Sequence, residues 1–452
     1  MRQRFADVDE AFAYFESFTN LERSPTLRRE YRLERMHALL EAFGRPERVP
    51  EAIHIVGSKG KGSTAAFIAS ILEAAGYDVG LYTSPHVETY LERFTSSGRP
   101  LPEHVLTEEA ERIRAYVDGG GGRRFEAETH GGPPTTFELL TLLAFLAFER
   151  LEYRYVVLEA GMGGRLDATN VVVPRATVIT PIEREHTKYL GDTVEEIAAE
   201  KAAVIKGAPV FVGRQSPEAL AVIHARAADA GSPVRLLAEE TTTVELDPSA
   251  VPPRLDLRFA DGTLLTPRLS MLGTAQGDNA ALAALCARTV FPELPRSALE
   301  RGLQTARLPG RGELLRTARG TPVLLDGAHT PRSVEALKRT FTSLFGRRGV
   351  LLFGSVIDKD HGEMAGILAD AFERVVVARP GTFKESDPGA VASAFEAHGA
   401  TVSLIPDAGE ALEAALEAAS GRPVLVTGSF YLLGAVRRRL SESVDGLTGY
   451  FV

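Results

Sequence analysis

Gly57 to Thr64, GSKGKGST, lies directly between the apolar run Ala52-Ile53-His54-Ile55-Val56 and an alanine-rich segment with helical spacing. The order reads as strand, phosphate-binding loop, helix. Gly57, Gly60 and Gly62 let the backbone turn tightly with its N–H groups inward, and the following helix adds the positive end of its dipole. Lys61 offers a positive charge for terminal phosphates, and Ser63 or Thr64 a hydroxyl near magnesium. The spacing departs from the ordinary G-x-x-x-x-G-K-[ST] loop because Gly62 separates Lys61 from Ser63. The alternative is a glycine-rich turn without a ligand, against which the flanking strand and helix weigh.

A chain of 452 residues suggests two or three domains. With 44% hydrophobic and 25% charged residues it has a globular balance, and its net charge of -9 argues against nucleic acid as a partner. The single cysteine, Cys286, sits in an apolar helical pattern and reads as a core residue in a reducing compartment. The first residues lack the apolar core of a signal peptide, and the longest apolar stretch, Phe137 to Phe148, is interrupted by Glu138 and too short to span a bilayer. A cytoplasmic protein, neither secreted nor membrane-embedded, is expected.

The chain reads as α/β. Helical spacing over 7–18 and 31–43 leads into the strand before the loop, and strands follow at 78–83, 155–159, 176–180 and 210–212. Alternation with helices predicts a mostly parallel sheet. The cluster Gly119 to Gly122 has no strand before it and is expected to be a flexible tip. Residues 240–270 look like short antiparallel strands. Beyond Pro292, Pro295 and Pro309 the α/β pattern restarts at 323–325 and runs through 424–427. The expected division is 1–295, a phosphate-loop domain, and 296–452, a smaller α/β domain.

Ser84, Glu159 and His186 each fall at or just after the carboxyl end of an expected strand, where an open parallel sheet forms its crevice. A carboxylate ending an apolar strand suits magnesium, with a hydroxyl and an imidazole completing the shell. Singly, each has an ordinary reading as helix cap, solvated strand end or loop histidine. Thr193 and Glu196 form a capping-box pattern whose helix puts Lys201 on the face of Ile197, Val204 and Ile205. Spacing alone favours a lysine that snorkels to water; the other reading is a desolvated amine able to form a carbamate with carbon dioxide. Asp326-Gly327-Ala328-His329 and Thr427-Gly428-Ser429 follow strands of the second half, and Arg311 lies in the expected linker.

Together these segments resemble the folylpolyglutamate synthase and dihydrofolate synthase family of the Mur ligase superfamily. The resemblance rests on GSKGKGST at 57, TSPH at 83, TTFE at 135, LEAGMGGRLDATN at 158, EHTKYLG at 185, EKAAVIK at 200, LPGRGE at 308, DGAHTP at 326 and TGSFYLLG at 427. It implies a phosphate-loop ATP-binding domain with a mostly parallel sheet and a smaller Rossmann-like C-terminal domain. It further implies ATP contacts at Ser58, Lys59, Gly60, Lys61, Gly62, Ser63, Asn279, Arg311, Asp326 and His329. Magnesium ligands are implied at Ser84, Glu159, His186 and a carbamylated Lys201, with Lys61, His186 and Lys201 serving catalysis. Thr135, Thr136, Phe137 and Glu138, with Leu166, Asp167 and Ala168, match the segments that hold the pteroate moiety. Ser58, Glu185, Ala275 and Thr330 depart from the family's usual Thr, Asp, His and Asn.

The implied reaction joins L-glutamate to dihydropteroate, to the glutamate tail of a reduced folate, or to both. ATP phosphorylates a carboxylate, and the glutamate amine attacks the acyl phosphate. A monomer is expected. Two other readings stay open: a Mur-type ligase acting on a cell-wall precursor, and a nucleotide-dependent switch that joins nothing.

Overall fold

The computed structural model describes residues 4–20, 33–129, 132–247, 250–346, 349–357, 359–381 and 385–442. An eight-stranded sheet runs in the order Arg99–Pro100, Phe94–Ser96, Val79–Tyr82, Tyr155–Glu159, Glu51–Val56, Ala176–Ile179, Val210–Val212, Val234–Leu236. From Val79–Tyr82 onward its strands are parallel, and the two edge strands before it are antiparallel. Strand Tyr155–Glu159 is buried along its whole length, with Tyr155 and Val157 in one core layer and Val156 and Leu158 in the other. Burial on both faces is why it reads as a continuous apolar run.

Helices Lys61–Ala74, Ala275–Val290 and Arg296–Thr305 build the first layer; Val8–Glu16, Leu33–Ala42, Glu103–Val117 and Thr136–Arg150 build the second. A three-stranded antiparallel sheet, Leu264–Leu265, Arg254–Phe259 and Thr241–Asp247, fills the expected 240–270 region and sends Leu255, Leu257 and Phe259 into the first layer. The second large sheet runs Glu313–Arg316, Pro322–Leu325, Val424–Thr427, Gly349–Phe353, Phe372–Val377, Val402–Leu404, parallel except for its first strand. The α/β class, with a larger and a smaller parallel sheet, is as expected.

One expectation is corrected. The glycine cluster is not a tip: helix Gly120–Thr129 begins inside it. Phe125 of that helix is 1% exposed, and the Arg35 guanidinium lies 5.0 Å from its ring centroid; burial of the aromatic offsets the poor helical propensity of glycine. Helix Arg296–Thr305 sends Leu299 and Leu303 into the first core, so a division at 295/296 would cut that core. We propose a division within 306–312, inside the 292–312 stretch that the prolines mark. No described helix is long and apolar enough to cross a membrane.

Candidate active site

Strand Glu51–Val56 lies between Tyr155–Glu159 and Ala176–Ile179, so the loop that leaves it emerges where three parallel strands end. Gly60 has a φ of 84°, and a Cβ there would lie 2.3 Å from Asn279 Oδ1. At Gly62 a Cβ would lie 3.1 Å from Glu159 Oε2. Glycine therefore lets an amide and a carboxylate press onto the loop. Helix Lys61–Ala74 begins at Gly60 with no side-chain cap, which leaves its first-turn N–H groups for a ligand. Ser58 is tied down: its hydroxyl donates to Glu183 O (3.1 Å) and accepts from Glu183 N (3.0 Å). Ser58 and Lys59 both donate their backbone N–H to Pro181 O. Ser63 Oγ accepts from Gln276 Nε2 at 3.3 Å, while the Thr64 hydroxyl is buried without a hydrogen-bond partner among the described residues.

Glu159 is 3% exposed, and its Oε2 accepts the Ser84 backbone N–H at 2.9 Å. Burial raises its pKa, opposed by Lys61, the Ser84 N–H and Arg311. A small cavity of about 10 Å³ opens against it, bounded by Thr83, Ser84, Pro309 and Arg311. Lys201 does not snorkel. Its side chain is 2% exposed, and Nζ donates to Gly57 O at 2.7 Å and Glu185 Oε1 at 3.1 Å. Burial first, and Lys61 second, pull its pKa down to about 8. Glu185 is held below the usual carboxylate range: burial would raise it, but Lys61, Lys201 and Lys59 together prevail. His186, at a φ of 48°, opens the short helix Thr187–Leu190 and is exposed. The structure thus brings Ser84 to Glu159, and Lys201 to the loop and Glu185. The ring of His186 makes no hydrogen bond among the described residues.

Among the described residues no three His, Cys, Asp or Glu side chains gather at metal-binding distance. One buried carboxylate beside hydroxyls and a phosphate loop suits magnesium, which keeps waters and phosphate oxygens in its shell.

From the far side come Asn279, whose Nδ2 donates to Gln276 Oε1 at 3.1 Å, and Arg311, whose guanidinium stacks 3.9 Å from the Phe430 ring centroid. Gln276 was not singled out from the sequence; its only signal is its place one turn before Asn279. Asp326 accepts from Gly312 N (2.8 Å) and Ala328 N (2.9 Å), bracing the loop that carries Arg311. His329 Nδ1 donates to Gly327 O at 2.7 Å, and burial lowers its pKa to about 4. Thr330 caps helix Pro331–Phe345, a role the Asn it replaces could also fill.

The two segments expected to meet pteroate are heavily engaged by protein groups. Thr135 caps helix Thr136–Arg150, and Glu138 closes the capping box. Glu138 also pairs with Arg35 at 3.0 Å, and Thr136 Oγ1 donates to Phe15 O at 3.0 Å. Phe137 lies against Gly161, where a Cβ would come within 2.6 Å of its ring. Asp167 accepts from Met162 N, Thr169 N and Thr169 Oγ1, beside buried Ala168. Leu166 precedes it on the same loop, between Arg165 and the short turn of helix Ala168–Val171. Because the Thr169 proton goes to Asp167, His54 Nε2–H must donate to Thr169 Oγ1 (2.8 Å), leaving His54 Nδ1 buried without a partner among the described residues.

A phosphate loop on one parallel sheet, faced by an arginine turn at the edge of a second, is the arrangement of a Mur-type ligase. Residues 55–287 match the Mur ligase middle domain and residues 310–430 the Mur ligase glutamate ligase domain. The chain is 35% identical over 416 residues to the dihydrofolate synthase/folylpolyglutamate synthase of Bacillus subtilis, covering 90% of this chain and 94% of that protein. It belongs to the folylpolyglutamate synthase family. It is also 37% identical to the probable bifunctional folylpolyglutamate synthase/dihydropteroate synthase of Halobacterium salinarum; the match covers 90% of this chain but 49% of that longer relative. The chain therefore spans about half the length of that curated relative. The crystal structure of Mycobacterium tuberculosis folylpolyglutamate synthase complexed with ADP and AMPPCP superposes with a TM-score of 0.84, at 29% identity, covering 96% of this chain and 99% of that one.

Proposed function

We propose that this chain is an ATP-dependent ligase that joins L-glutamate to dihydropteroate, to the glutamate tail of a reduced folate, or to both. The observation that carries the reading is the buried Glu159 carboxylate, set between the uncapped phosphate-loop helix and Arg311 of the facing turn. The family and the nucleotide complexes of its relative support it.

Lys61 and the first-turn N–H groups hold the terminal phosphates of ATP, with Ser58, Lys59, Gly60, Gly62 and Ser63 shaping the loop. Asn279, Arg311, Asp326 and His329 close on the nucleotide from the other side. Ser84, Glu159, His186 and Lys201 as a carbamate would hold magnesium, which would supply positive charge against the phosphoryl group. Arg311 adds a cation to the same charge, and closure of the two sheets keeps water from the acyl phosphate. The flat pteroate lies near Phe137 and the 161–168 loop, with Thr135, Thr136 and Glu138 fixing the helix start and Leu166, Asp167 and Ala168 the loop. The protein acts as a monomer in the cytoplasm.

ATP consumption with dihydropteroate and with tetrahydrofolate, each with and without L-glutamate, tests the reaction. Consumption that needs both a folate-type acid and glutamate is expected; hydrolysis indifferent to both would leave a nucleotide switch. For Lys201, the carbamate reading expects Lys201→Ala and Lys201→Arg to be equally defective, with acetate or formate restoring part of the alanine variant's rate. Density for a bare amine in a crystal grown at neutral or higher pH with magnesium bound, together with an active Lys201→Arg, would remove the carbamate.

A further inference from the structure

The turn that carries Arg311 and the segment that carries Ser84 come from opposite sides of the site, and a single guanidinium behind them touches both. Arg437, on helix Phe430–Glu442, donates through Nη1 to Glu88 Oε2 at 2.7 Å and through Nε to both Glu313 oxygens at 3.2 Å. Glu313 Oε2 in turn accepts the Gly310 N–H at 3.0 Å, next to Arg311. Glu88 lies four residues after Ser84 in a segment folded around Glu92, whose carboxylate accepts the N–H groups of Val87, Glu88 and Thr89. Apolar contacts follow the same line. Val87 belongs to a core cluster of the second sheet with Leu433, and a Cβ at Gly434 would lie 2.2 Å from Val87 O. Arg437 does not border the cavity against Glu159.

We propose that Arg437 is a positioning residue: by gripping Glu88 and Glu313 together it fixes Ser84 and Arg311 on either side of Glu159. The assignment of a catalytic consequence rests on the ligase reading above; the grip itself does not. The side chains are mostly withdrawn from water, at 18% exposure for Arg437, 16% for Glu88 and 6% for Glu313. The cation between them is shared by both carboxylates. Without it, Glu88 and Glu313 face one another as like charges, with Glu92 close by, and each segment gains by moving away. Lysine would keep the charge but could not span two carboxylates with one planar fork.

The test compares wild type, Arg437→Gln and Arg437→Lys as the full chain, by amide hydrogen exchange and by ligation kinetics. Arg437→Gln should speed exchange about tenfold or more in residues 84–93 and 308–313 while leaving 57–64 unchanged, and Arg437→Lys should show a smaller change in the same two segments. Ligation kcat should fall about tenfold, and the KM for ATP should rise by a smaller factor, because Arg311 is loosened while the phosphate loop is untouched. Adding Glu88→Gln to Arg437→Gln should cost less than Glu88→Gln alone. Exchange that rises across the whole chain, or in neither segment, would overturn the proposal, as would loosened segments with an unchanged kcat. A wild type that does not ligate would remove the ligase reading and the kinetic part, and the exchange pattern would still decide the grip. If Arg437→Gln does not fold, the lysine variant carries the same readouts.

Discussion

Residues 57–64 and 135–138 are both short polar strings that open a helix, and they treat the helix start in opposite ways. At Lys61–Ala74 the cap position is Gly60, no side chain caps the helix, and Lys61 has no ion-pair partner among the described residues. At Thr136–Arg150 the Thr135 hydroxyl caps the first turn, Glu138 reaches back to the Thr135 N–H, and Arg35 clamps Glu138. An uncapped helix start holds unsatisfied donors that a phosphate can satisfy; a capped one has already given its donors to protein. Motif strings of one family thus divide into residues kept available for a ligand and residues that hold the scaffold around it.

Substitutions can break or sharpen this contrast. Lys61→Ala should lower ligation by about 10²–10³-fold, the scale for removing one preorganised group that stabilises transition-state charge, while leaving the thermal unfolding midpoint unchanged, since no core volume is lost. A fully active, folded variant would place 57–64 with the scaffold. Glu138→Ala should do the reverse. It leaves Arg35, at 5% side-chain exposure, without its carboxylate, and removal of one partner from a buried pair costs about 3–5 kcal/mol. The unfolding free energy from denaturant titration should fall by that amount while the KM for ATP stays put; a stable variant with a raised folate KM alone would move Glu138 to the ligand side.

The smaller effect concerns His54, which joins the two kinds of segment by sitting in the strand before the loop and donating to Thr169. Burial first, and Lys206 second, depress its pKa to about 3. The unfolded chain binds a proton below about pH 6.5 that the folded chain refuses until about pH 3, so stability should fall as pH drops through that window. The slope is about 1.4 kcal/mol per unit at most. Unfolding of wild type and His54→Gln at pH 7 and pH 5 should show a smaller acid loss in the variant; equal losses would assign the acid sensitivity elsewhere.

Much of the architecture was legible because apolar periodicity survives in each element: the strands at 51–56, 155–159 and 424–427 and the helix at 136–150 stand where the pattern put them. The glycine cluster misled because a local signal for flexibility was overridden by the burial of Phe125. Helix Arg296–Thr305 was missed because Pro295, read as part of a boundary, sits at its N-cap. Lys201 could not be decided from spacing, since a lysine on an apolar face has the same sequence whether it reaches water or a carbonyl.

The sequence by itself determined the α/β class, the phosphate loop and the order of the family's motifs, because strand and helix periods and the tight turns of glycine are properties of neighbouring residues. Tertiary structure alone decided that Lys201 donates to Gly57 O, that Gln276 and Asn279 lean on the loop, and that Arg437 ties residue 88 to residue 313. Those contacts join residues from 124 to 349 positions apart. Their formation depends on how whole layers pack and on which charges are withdrawn from water together, and no local pattern along the chain encodes either.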